Sequence, residues 1–84
     1  MKKAEKNKYL SELGKAIKRY RLYCGMTQKQ LAIASGYDGN NPSATISKIE
    51  QGKIDLTITK LEDISDALGT TSINLIREVA WRMR

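Results

Sequence analysis

Apolar residues recur at spacings of three and four along three stretches of the chain, a pattern typical of helices that bury one face. They are Leu10, Leu13, Ile17, Tyr20 and Cys24 in the first stretch, Ile58, Leu61, Ile64 and Leu68 in the second, and Ile73, Ile76, Val79 and Ala80 in the third. The first helix should run from Tyr9 to near Gly25. A later helix should begin after the N-cap Thr57 and stop at Gly69, and Ser72 is expected to cap the last one.

Between these stretches, residues 27–52 predict two shorter helices joined by a turn. Thr27, followed three residues later by Gln30, forms a capping box in which each side chain satisfies a free backbone N–H at a helix start. The first of the two helices should therefore begin at Gln28. It is short, about two turns, because Gly36 suits the left-handed conformation that ends a helix.

The second helix of this segment starts at Asn41-Pro42, with Asn as the N-cap and Pro at the first helical position, where its missing N–H has no partner to lose. Ile46 and Ile49 give it a narrow apolar stripe, and Gly52 ends it. The preceding residues, 38–41, favour turn geometry, so they are predicted to form an exposed loop. Together the segments predict an all-α fold of five helices.

The composition suits a single small helical domain, with 84 residues of which 40% are hydrophobic and 29% charged. The longest apolar runs, such as residues 31–34, are too short for a membrane span or a signal-peptide core, so the chain is expected to stay in the cytoplasm. Cys24 is the only cysteine, and there is no histidine to join it in a metal or nucleophilic site. Cys24 is therefore expected to pack inside the core.

Positive charge is concentrated at the start of the chain. The net charge is +6; residues 1–21 hold eight Lys and Arg against two Glu, whereas residues 22–84 hold seven residues of each sign. This balance suits a polyanionic partner. Residues 1–8 are polar without an apolar period and are predicted to form a basic flexible tail, which either reaches phosphates or only aids solubility.

The second short helix has a polar outer side. If Ile46 and Ile49 face inward, the outward residues at 100° per residue are Ala44, Ser47, Lys48 and Gln51, with Ser43 at the margin. These residue types suit a DNA major groove. Lys donates to guanine, Gln suits an adenine edge or a phosphate, Ser can hydrogen-bond with several bases, and the Ala methyl contacts a thymine methyl. A plain solvated helix face is the alternative.

The residues of this segment resemble the lambda repressor and Cro family, also called the XRE-like family. The first helix shares the family's Gln at its start, Leu-Ala inside and Gly in the turn, here Gln28, Leu31-Ala32 and Gly36. The second shares its Thr-Ile-Ser-basic-Ile-Glu-x-Gly pattern, here residues 45–52. The resemblance covers roughly residues 10 to 76 and implies a five-helix lambda-repressor-like DNA-binding domain. The turn over residues 38–41 is about four residues longer than the family's usual one, and this departure bears on the docking angle and on the first base-contacting position.

The resemblance also implies roles for individual residues. Arg21 should pair with Glu50, which lies at the end of the second short helix, the recognition helix of this family. The start of the preceding helix, Thr27 and Gln28, should grip the DNA backbone, since free N–H groups there favour a phosphate. Lys53 and the 40–41 turn are further phosphate candidates. The predicted DNA-binding residues are Thr27, Gln28, Ser43, Ala44, Ser47, Lys48, Gln51 and Lys53.

The function implied is a sequence-specific regulator of transcription, most often a repressor, that binds a palindromic double-stranded operator as a homodimer. A domain over residues 9–84 would hold the helix-turn-helix at 27–52 and a dimerising last helix at 72–83, whose outer residues include Val79, Trp81 and Met83. A phage, a restriction–modification locus and a toxin–antitoxin pair remain equally open as settings. The alternative is a protein-interaction module such as an antitoxin or adaptor. No enzyme, cofactor, metal or membrane partner is predicted.

Overall fold

A computed structural model describes residues 1–84. It contains five α-helices and no strand. In chain order they are α1 (Lys3–Tyr23), α2 (Gln28–Ala34), α3 (Pro42–Glu50), α4 (Ile58–Ala67) and α5 (Ser72–Arg82). Helix α1 packs on α3 and α5, α2 packs on α3 and α4, and α4 packs on α5. The predicted all-α architecture of five helices is confirmed.

One hydrophobic core joins the five helices, and each helix gives it at least one wholly buried branched side chain. Twelve apolar residues are buried in this core, among them Ile17, Leu31, Ile46, Ile64 and Leu75. Full burial of such a side chain contributes about 1.5–3 kcal/mol. The periodic pattern is confirmed on α1 for Leu13 and Ile17 and on α4 for Leu61 and Ile64, which are buried as predicted.

The helix ends follow the predicted caps with two exceptions, at α5 and at α3, where the Asn41 side chain makes no capping hydrogen bond. The hydroxyls of Thr27 and Thr57 accept from the backbone N–H three residues later, and so does the hydroxyl of Thr71. Thr71, not Ser72, is thus the N-cap of α5, and the Ser72 hydroxyl instead donates to the Glu62 carboxylate. The hydroxyl of a first-turn residue points away from the free N–H groups, which leaves it available for this contact.

Helix α1 begins six residues earlier than the periodic pattern indicates. Residues 3–8, for which the sequence predicts a flexible tail, continue the helix as exposed turns. Ala, Glu and Lys are good helix formers, and Lys6 forms an ion pair with Asp55 at 3.1 Å. Periodicity detects only helical residues that face a core, so it cannot detect these turns.

Cys24 and Ile58 are exposed, contrary to the prediction that both lie on buried faces. Helix α1 ends at Tyr23, so Cys24 is its C-cap and lies beyond the last inward-facing turn. Its thiol contacts the Leu68 carbonyl oxygen at 3.5 Å. Ile58 is the first residue of α4, and its side chain is left exposed there.

The buried face of α5 differs from the predicted one. Leu75 and Val79 are fully buried in the protein's own core, whereas Ile73, Ala80 and Trp81 are exposed. The prediction that Val79 lies outward and needs a second copy is therefore wrong. Apolar residues occur nearly all around this helix, so spacing alone did not select the face that packs on α1.

Helices α1 and α3 meet at very short range. A Cβ on Gly14 of α1 would lie 2.4 Å from the Ile49 carbonyl oxygen and 2.5 Å from that of Glu50. At the end of α3, Gly52 has a φ of +72°, and a Cβ there would lie 2.7 Å from the Ser11 α-carbon. Only glycine fits both positions, and together they fix the C-terminal end of α3 against α1.

Candidate nucleic-acid interface

Helix α2 starts at a complete capping box. The Thr27 hydroxyl accepts from the Gln30 backbone N–H at 3.0 Å, and the Gln30 side-chain oxygen accepts from the Thr27 N–H at 2.9 Å. The predicted capping box is thus confirmed. Thr27 is exposed, so the start of α2 is open to solvent and to a ligand.

A buried ion pair fixes the C-terminal end of α3. Arg21 Nε donates to Glu50 Oε2 at 2.6 Å, and a second guanidinium nitrogen donates to Oε1 at 3.2 Å. Another donor of Arg21 reaches the Met26 carbonyl oxygen at 2.8 Å. The side chain therefore joins α1, the α1–α2 turn and α3, and the pairing of Arg21 with Glu50 is confirmed.

Gln28 extends this network to α2, which the sequence alone did not indicate. Its side-chain nitrogen donates to Glu50 Oε1 at 3.0 Å, so the start of α2 is tied to the end of α3. The amide keeps a second N–H and its oxygen for other partners. Gln28 is half-buried and lies next to the exposed Thr27, so the structure brings these two predicted residues together.

The outward side of α3 carries the predicted groove-facing residues. Ile46, Ile49 and Glu50 are buried on the inner side, and Lys48 and Gln51 are exposed on the other. Ser43, Ala44 and Ser47 are half-buried along the same outer half of the helix. The five residues therefore form one strip along α3.

Two side chains of this strip differ in their freedom. Gln51 donates to the Ser47 hydroxyl at 2.9 Å across one helical turn, which holds the amide in a defined orientation. Lys48 has no hydrogen-bond or ion-pair partner, so its ammonium is available to an external acceptor. A positioned amide beside a free ammonium is a combination that can bind base edges.

The long turn between α2 and α3 is anchored at its start and open at its tip. Lys60 donates to the Ser35 carbonyl oxygen at 3.1 Å, and its ammonium lies 4.3 Å from the centre of the Tyr37 ring. Burial raises the pKa of the Tyr37 hydroxyl, and the negative charge of Asp63 raises it further. Residues 38–41 are exposed, as predicted, and border a groove of about 710 Å³ beside α2.

Lys53 follows the C-terminal end of α3 and is exposed and unpaired. Two residues later, Asp55 forms an ion pair with Lys6 of α1. The hydrogen bond to Lys6 lowers the pKa of the Asp55 carboxyl, and the Leu56 N–H lowers it further. The carboxylate thus stays charged and is neutralised by its neighbour.

Three further features of the molecule concern metal sites, membrane spans and the charge of the α4 side. No group of three or more His, Cys, Asp or Glu side chains is placed to hold a metal ion. None of the five helices combines the length and the apolar character that a membrane span requires. Residues 54–68 carry four acids against Lys60 alone, so the α4 side of the molecule is unfavourable for a polyanion.

Comparison with known proteins agrees with this geometry. A family model described as helix-turn-helix matches residues 17–76. One crystal structure of the clp gene regulator ClgR from Corynebacterium glutamicum is 27% identical, with a TM-score of 0.80 over 89% of this chain and 76% of that one. A second ClgR structure is 26% identical, with a TM-score of 0.79 over 90% of this chain and 94% of that one. No curated protein matches the sequence.

Proposed function

The chain belongs to the helix-turn-helix family whose model it matches, and we propose that it reads specific double-stranded DNA sequences through the outer strip of α3. Proteins of this XRE-like kind are DNA-binding transcriptional regulators, and this chain is one of them. The finer proposal is that α3 enters the major groove and that the protein acts as a repressor. It would do so in the cytoplasm.

The observation that carries this proposal is the division of α3 into two sides. Its inner side is fixed by Ile46, Ile49 and the buried pair of Glu50, which together hold the helix rigidly on the core. Its outer side presents Lys48 without any partner and Gln51 oriented by Ser47. The Gln51 amide, already held in place, loses less entropy on binding, and the Lys48 ammonium is available to a base edge.

Residues beside the C-terminal end of α3 are proposed to contact the DNA backbone. Thr27 and Gln28 lie at the start of α2, which Gln28 ties to Glu50 at the end of α3, and Lys53 follows the same end. Phosphate contacts at these places would fix the position and angle of α3 without reading sequence. The Gln28 bond to Glu50 supports a coupling between a backbone contact and the orientation of α3.

We further propose a homodimer on a palindromic operator, with α5 in the interface. One module buries little surface on DNA, and a second copy would place two recognition helices one DNA turn apart, about 34 Å. Ile73 and Trp81 support this, because each is 66% exposed on α5. Val79 takes no part, since the core of the protein already covers it.

The same exposed apolar residues favour one alternative, a module whose main partner is another protein. The two functions differ in their response to salt. Binding to DNA weakens steeply as salt rises, because bound Lys and Arg displace counterions, whereas an apolar protein interface responds little.

The test begins with selection of bound sequences from a random duplex pool, followed by affinity measurements for Lys48→Ala and Gln51→Ala. Each should relax preference at one or two base pairs and lose about 1–3 kcal/mol of discrimination there. Lys53→Ala is the control, since a lost phosphate contact lowers affinity for selected and random duplexes alike. If Lys48→Ala and Gln51→Ala also behaved like this control, the base-reading role would be wrong.

A further inference from the structure

The helical start of α1 lies directly beside the end of the recognition helix. Lys3, Lys6 and Asn7 of α1 border one groove of about 490 Å³ together with Gly52 and Lys53, which follow α3. Gly52 is in turn packed on the backbone of α1. The surface that bears Lys3 and Asn7 therefore continues from the strip of α3 that ends at Gln51.

This surface is positive and largely free of internal partners. Lys3 and Lys53 are exposed and form no ion pair. The one acidic residue at the groove, Asp55, is paired with Lys6 at 3.1 Å. A polyanion that approaches here thus meets unpaired ammonium groups and no unpaired carboxylate.

Neither acidic residue of α1 places an unpaired carboxylate on this surface. Glu5 lies two residues from both Lys3 and Asn7, which places it on the opposite side of the helix. Glu12 is engaged by Lys15 at 3.5 Å. Because residues 3–8 are helical, their charges hold fixed positions, and binding of a phosphate need not first order a mobile segment.

We propose that Lys3, Asn7 and Lys53 form one phosphate-binding surface that extends the DNA contact beyond the C-terminal end of α3. This inference rests on the proposed function, since it needs α3 to lie in the groove of a duplex. The surface carries no sequence information; it lengthens the contact with the backbone and fixes the end of α3 nearest Gln51.

The test compares Lys3→Gln, Lys53→Gln and their double variant with the parent on a selected duplex between 50 and 200 mM salt. Loss of one phosphate contact reduces the slope of log K against log salt by about 0.9. The parent's advantage over each single variant should then be about 3.5-fold larger at 50 mM than at 200 mM salt, and about 12-fold larger for the double variant. Sequence preference should not change.

Lys8→Gln is the matched control, because Lys8 is exposed, forms no ion pair and lies three residues from Glu5, on the side of α1 away from Lys3 and Asn7. Unchanged helical content by circular dichroism shows that each variant is folded. If Lys3→Gln altered the salt slope no more than Lys8→Gln, while the parent still selected its sequence, this inference would be overturned and the proposed function would stand. If the parent selected no sequence, the proposed function itself would fail.

Discussion

The buried pair between Arg21 and Glu50 gives the sharpest prediction about the fold. Both residues are almost inaccessible, with 7% and 8% of their surface exposed. Arg21→Ala removes two hydrogen bonds to the carboxylate and one to the Met26 carbonyl oxygen. Glu50 would then retain only the bond from Gln28 at 3.0 Å.

The magnitude follows from the charge that is left behind. Removal of one partner from a buried ion pair costs about 3–5 kcal/mol, and the remaining bond to Gln28 argues for the lower end, about 3 kcal/mol. Small domains are stabilised by only about 5–15 kcal/mol, so this is a large fraction of the total. For a domain of this size it corresponds to a fall in Tm of roughly 12–24 °C.

Urea and thermal denaturation, followed by circular dichroism, measure this loss. Arg19→Ala is the matched control, because Arg19 also binds a Glu across helices, donating to Glu78 with its Nε at 3.1 Å, but at a half-exposed position. It should lose less than about 1 kcal/mol. The double variant Arg21→Ala/Glu50→Gln should regain part of the loss by removing the unpaired charge. A single Arg21 variant that melts with the parent would refute the reasoning.

Three further predictions concern the glycine contact, the long turn and the proposed dimer. Gly14→Ala should destabilise by about 1–3 kcal/mol in urea although Ala favours helices, because its Cβ would meet the Ile49 carbonyl oxygen at 2.4 Å; a stabilised variant would contradict the close packing of α1 on α3. Deletion of residues 38–41 should leave a folded protein by circular dichroism, since they are exposed; an unfolded one would show that the loop is structural. Ile73→Ser/Trp81→Ser should change a dimer to a monomer in sedimentation and weaken operator binding with little loss of helix; an unaltered protein that is monomeric at micromolar concentration would exclude the dimer.

The sequence predicts a helix correctly where its apolar pattern agrees with its capping and terminating residues. Around α2, the capping box at Thr27, the apolar Leu31 and the terminating Gly36 all point to the same short helix, and the structure has it. The pair of Arg21 with Glu50 was predicted from the resemblance to the lambda repressor and Cro family, and the structure contains it. Local rules suffice where each residue has one plausible environment.

The remaining differences arise where the deciding contact lies far away in the chain. Apolar residues occur on nearly every side of α5, so its buried face is determined by packing on α1 and α4. Leu75 lies on that face and is fully buried. Nothing near Gly14 in the sequence shows that α3 will approach it. The bond from Gln28 to Glu50 likewise depends on the arrangement of two helices, which local patterns do not specify.

The two ends of α3 are held by unequal means, and this bears on how the longer turn affects recognition. Its C-terminal end is fixed by Gly14, Gly52 and the Glu50 network, all of them against α1 or α2. Its N-terminal end begins at Pro42 after an exposed loop, and the Asn41 side chain makes no capping bond there. A change in the turn should therefore move Ser43 and Ala44 more than Lys48 and Gln51. We therefore expect the proposed base contacts of Lys48 and Gln51 to tolerate the longer turn, and those of Ser43 and Ala44 to depend on it.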